Sequence, residues 1–154
     1  MDRVFEYDIP VLHPVLVHFP IVLLLLGGAV VVIWAASGRR AWLVAGSWLC
    51  SLGAVAAVLA NRTGEAMEEQ SSGSPMVEAF VDMHDAAADW TVLAAIVLAA
   101  GLLVLLRVKR LWSARSGFPA WVRILAAILA VVTAGLVAWT AHLGGLMVWG
   151  VPAG

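Results

Sequence analysis

Four histidines, His13, His18, His84 and His142, are the residues of this chain best suited to chemistry. A neutral imidazole binds iron, copper, zinc or nickel through one ring nitrogen and keeps the other for a hydrogen bond. Two of the four stand in the string His13-Pro14-Val15-Leu16-Val17-His18-Phe19-Pro20, at the mouth of an uncharged apolar run over residues 21–36. Ionisable groups beside such a run are costly to bury and are most often functional. The bland alternative is that interfacial histidines are simply wetted, with Phe19 and the tryptophans as belt residues.

Composition supplies the solvent. Of 154 residues, 63% are hydrophobic and 12% charged, with a mean hydropathy of +0.98. So little polar surface cannot cover a soluble globule, so the chain reads as one membrane domain, residues 1–154. A net charge of -1 and the lack of a long basic tract argue against a nucleic-acid partner. Cys50, the single cysteine, cannot form an intrachain disulfide and reads as helix packing. Asp2, Glu6 and Asp8 precede the first apolar run against one Arg3, unlike the basic start of a signal peptide. That run is therefore expected to be a retained spanning helix.

Four segments are long enough to span, at about residues 11–37, 42–61, 76–107 and 120–149. A polar loop is expected from Glu65 to Pro75, and Pro75 suits the opening of the third helix. The fold class is all-α, an integral membrane four-helix antiparallel bundle built from two helical hairpins. Arg39, Arg40, Arg107, Lys109, Arg110, Arg115 and Arg123 lie in or beside the two short hairpin loops. The acidic residues lie in the N-terminal tail or between Glu65 and Asp89. Basic excess marks the cytoplasmic side, so both termini are expected outside. Trp34, Trp42, Trp112 and Trp121 would form an inner aromatic belt, and Trp90, Trp139 and Trp149 an outer one.

Depth follows from counting. His18 is 21 residues from Arg39, His84 is 23 from Arg107 and His142 is 19 from Arg123. These separations are roughly 28–35 Å, which sets the three rings at one level near the outer edge of the hydrocarbon. Arg62 comes to the same level, and His13 stands five residues further out. Two cofactor readings follow. In the first, a haem b takes two axial imidazoles; the faces lined by small residues favour His84 with His142, leave His18 beside them, and offer Arg62 to the propionates. In the second, His13, His18, His84 and His142 hold a Cu, Zn or Fe ion with help from Asp85, Asp89 or Glu65. A third reading is a non-catalytic anchor or assembly subunit of an electron-transfer complex. Ser47, Cys50 and Ser51 lie deep in the inner half, far from any imidazole, so no nucleophile–base pair is expected. Independent enzymatic activity is not expected, nor is an ion channel, since no ionisable chain crosses the inner half.

Local signals remain open. Gly46, Gly53 and Ala60 form a small-residue stripe at heptad spacing, either room for a flat macrocycle or a close helix contact. Pro20 removes the hydrogen bond to the Leu16 carbonyl and bends the first helix. Pro14 fits a first helical turn, which makes His13 a cap or outer group. A faint duplication would set His18 against His84, and Asn61 in the place of His142.

The opening His13-Pro14 with His18-Phe19-Pro20, the pair Thr63-Gly64, His84, and the closing Thr140-Ala141-His142-Leu143-Gly144-Gly145 carry a resemblance. With these motifs, HPxxxHFP and TAHLGG, nearly the whole chain resembles an uncharacterised bacterial family of predicted membrane proteins. The resemblance implies four spanning helices in a bacterial cytoplasmic membrane. It also implies haem or electron-transfer chemistry, with a c-type cytochrome or another redox protein as partner on the outer face. Many such proteins carry a further histidine after the Gly-Gly pair, where this chain has Leu146-Met147-Val148-Trp149-Gly150.

Overall fold

The computed structural model describes residues 9–71, 75–108 and 117–150. They form α1 (Ile9–Leu16), α2 (His18–Ser37), α3 (Arg40–Ser71), α4 (Pro75–Arg107) and α5 (Ala120–Trp149). No strand occurs among the described residues. Four helical spans are long and apolar enough to cross a membrane. Val22, Leu26, Leu52, Val55, Val104 and Val131 all face outward. Only a lipid solvent makes that exposure inexpensive, and the chain is a multi-pass membrane protein.

The helices pack in a ring, α2 on α3, α3 on α4, α4 on α5 and α5 on α2, while α1 lies on α3. Both hairpin turns share one end. There α2 stops at Gly38, which takes a left-handed conformation (φ 65°) and returns its N–H to the Trp34 carbonyl at 2.7 Å. An apolar cluster of Trp34, Leu43, Cys50, Leu98, Leu102 and Phe118 fills this end. A second cluster, including Leu24, Ala54, Ala57, Ala95 and Val137, fills the middle.

Three expectations change. The first helix divides at Val17, because Pro20 has no N–H to offer the Leu16 carbonyl. The second expected span, seen as α3, does not stop at Asn61 but runs ten residues further, to Ser71. Most of the added segment, Glu-Ala-Met-Glu-Glu-Gln (residues 65–70), is polar yet made of good helix formers, so loss of hydropathy was not loss of helix. Trp34 is no belt residue; it is 1% exposed and meets Phe118 edge-on at 5.9 Å. Trp42, Trp90, Trp121 and Trp139 are exposed. Trp112, Lys109, Arg110, Arg115, Ser72, Gly73, Ser74 and the acidic residues before Ile9 lie outside the described residues.

Candidate functional site: an imidazole pair at the termini end

The buried stripe of α2 is Pro20, Leu24, Gly27, Gly28, Val31 and Trp34. Seven residues, two helical turns, before Pro20 comes His13, in phase with that stripe despite the bend at Val17. His18 is out of phase and exposed. On α4 the buried positions Ala87, Thr91, Ala95, Leu98 and Leu102 extend back by the same two turns, from Thr91 to His84. Helical phase thus brings His13 and His84 inward, each half-buried.

Each ring leans on the neighbouring helix in the same way. Nδ1 of His13 lies 2.9 Å from the Ala60 carbonyl on α3, and Nδ1 of His84 lies 3.0 Å from the Thr140 carbonyl on α5. A carbonyl only accepts, so Nδ1 carries a proton in both rings, and in a neutral imidazole so held the lone pair belongs to Nε2. Four residues past each carbonyl stands a glycine that the ring covers. A Cβ on Gly64 would lie 3.1 Å from Cε1 of His13, and one on Gly144 would lie 3.2 Å from Cε1 of His84. His13 has a second acceptor in the Thr63 hydroxyl, 3.2 Å from Nδ1, which itself donates to Ala60. On the other side Thr140 and Thr91 join their hydroxyls at 2.9 Å, and Thr91 donates to the Ala87 carbonyl.

The other sequence candidates stand around this pair. His142 is exposed, with its ring 5.8 Å from that of Trp139, and its neighbours Gly135 and Ala138 are exposed too. His142 is thus exposed where His84 is half-buried, and the second half-buried imidazole is His13, which the sequence offered as a cap, an outer group or a metal ligand. Arg62 is exposed and pairs with Glu65 at 2.9 Å. Asn61 donates to Asp89 at 3.2 Å and so ties α3 to α4, while Asp85 lies within electrostatic range of Glu65, Asp82, Asp89 and His84. Among the described residues no three His, Cys, Asp or Glu side chains converge as a metal-binding group. The heptad stripe is helix contact: a Cβ on Gly53 would lie 2.8 Å from Cγ of Leu24, and one on Gly46 2.9 Å from Cγ2 of Val31. What sequence reasoning missed was the role of Thr63, Gly64, Thr140 and Gly144 as a seat for each ring; helical phase was the signal that could have found it.

The profile of the predicted membrane protein family DUF2231 matches residues 9–154. The chain matches no curated protein and no solved structure with which it was compared. That profile spans all five helices and both imidazole seats, and the chain belongs to the DUF2231 family of predicted membrane proteins.

Proposed function

We propose that this is a membrane-embedded redox protein that holds a haem b between His13 and His84, in the outer leaflet of a bacterial cytoplasmic membrane. The observation that carries the reading is the shared hydrogen bonding of the two rings. Each Nδ1–H is held by a backbone carbonyl of the next helix, which selects one tautomer, orients the ring and leaves Nε2 to bind metal. Two protein ligands is the number a haem needs, because the porphyrin supplies the other four. A bare zinc site takes three or four. The bound group would supply one-electron chemistry, and the chain would supply ligation, orientation and a dry surround. Arg62 would exchange Glu65 for a propionate. Basic residues around the hairpin turns support an outer location, where a c-type cytochrome or another redox protein would meet it.

The test is haemin titration of the detergent-purified protein, with iron, copper and zinc measured per polypeptide as purified. The expected result is one haem per chain with the sharp visible bands of a six-coordinate bis-histidine iron, lost in both His13→Ala and His84→Ala and kept in His18→Ala and His142→Ala. Stoichiometric copper or zinc without a Soret band would replace haem by a metal ion. Neither metal nor haem would overturn the reading in favour of an anchor subunit.

A further inference from the structure

The two seats belong to a larger correspondence. Shifting α1 and α2 by 71 residues, which carries His13 onto His84, also carries Pro20, Leu24, Gly27, Gly28 and Val31 onto Thr91, Ala95, Leu98, Ala99 and Leu102. All ten are buried. Shifting α3 by 80, which carries Ala60 onto Thr140 and Gly64 onto Gly144, carries buried Cys50, Gly53 and Ala57 onto buried Ala130, Thr133 and Val137. Corresponding residues also share clusters. Cys50 and Ala130 lie in the inner one with Val31 and Leu102; Leu24 and Ala95 lie in the middle one with Ala57 and Val137. In the ring of helices α2 stands across from α4 and α3 across from α5, as a twofold axis along the bundle requires. The register differs from the one that sets His18 against His84. His18 corresponds to Asp89, Phe19 to Trp90 and Arg62 to His142.

We infer that the chain is two copies of one helical hairpin, and that His13 with Gly64 and His84 with Gly144 are equivalent half-sites for one ligand lying on the axis between them. The paired half-sites rest on the geometry alone; the presence of a ligand between them rests on the haem reading. The ligand class is then one with two like axial positions, and Gly64 and Gly144 are its paired positioning residues. Each acts through the ring it carries. A Cβ at either would press on Cε1 while leaving Nδ1 its acceptor, so it would tilt the ring without changing its tautomer.

Nitrogen NMR of histidine-labelled full-length protein, before any haemin is added, tests the half-sites directly. His13 and His84 are expected to share the Nδ1–H tautomer with slow exchange. Gly64→Ala should move the His13 ring signals alone and Gly144→Ala those of His84 alone, to a similar extent. With haemin as the probe, each glycine variant should weaken binding by a similar factor, on the order of 10–100-fold. If either glycine variant fails to fold, His13→Ala and His84→Ala with added imidazole carry the comparison, and both should recover the same spectrum. Different tautomers for His13 and His84, or a response to only one of the paired substitutions, would overturn the equivalence. If wild-type protein binds no haemin but the paired NMR responses hold, the haem reading fails and the half-sites stand.

Discussion

The first hairpin (α2 with α3) and the second (α4 with α5) solve the same packing problem with different residues. Where the first has Gly27, Gly28, Gly46 and Gly53, the corresponding positions of the second are Leu98, Ala99, Ala126 and Thr133. The first hairpin is zipped so closely that an added Cβ at Gly27 would lie 2.8 Å from the Cys50 sulfur and 3.1 Å from its backbone nitrogen. The second fills its seam with side chains, Leu98 being 1% exposed. It then adds hydroxyls, Thr91 to Thr140 at the site and Thr133 to its own helix. One hairpin is therefore held by backbone approach and the other by side-chain volume and polar contacts, although both present the same imidazole seat.

That contrast can be broken from either side. Leu98→Ala should empty a filled seam and cost about 2–5 kcal/mol, whereas Gly27→Leu should overpack a closed one and cost about 1–3 kcal/mol; denaturant unfolding in micelles measures both. Equal tolerance of leucine and alanine at the two positions would erase the distinction. Next in size is Thr91→Val, which removes the hydroxyl bridge to Thr140 that only the second hairpin has. It should cost about 1 kcal/mol and loosen the His84 ring while leaving His13 unchanged, as read by the same unfolding series and by ring NMR. Smallest is Arg62→Ala. Its partner Glu65 is also solvent-accessible, so the loss should stay within about 0.5 kcal/mol in unfolding. A larger effect would mean that Arg62 does more in the first hairpin than its exposed ion pair implies.

The four spans were legible because apolar length is a strong signal, and the helix ends near Ser37, Arg107, Ala120 and Trp149 follow from Gly38, the basic run and Pro119. Which imidazoles turn inward was not legible. Counting residues from the charged end measures depth but not azimuth. His18 and His142 lie on outward faces, because each lies two residues, about 200° of helix, from an inward position (Pro20 and Thr140). Counting places His13 five residues further out, as a cap or outer group in the haem reading and a ligand only in the metal-ion reading. The extension of α3 past Asn61 changes that, since it gives Thr63 and Gly64 a helix to stand on at the height of His13. The small residues beside the histidines were visible, but room for a ligand and room for a neighbouring helix look alike in sequence.

The bend at Val17 also sets the order in which the site comes apart. α1 is eight residues long, joined to α2 at Val17 by hydrogen bonds of 3.1 and 3.4 Å, one of them long, with none available from Pro20. A helix that short has little stability of its own and depends on its docking against α3. His84, by contrast, sits ten residues into an unbroken 33-residue helix. Local opening therefore begins at α1, and amide exchange around His13 should run ahead of exchange around His84. Two seats of the same design thus differ in lifetime: the second is standing architecture, and the first is a latch.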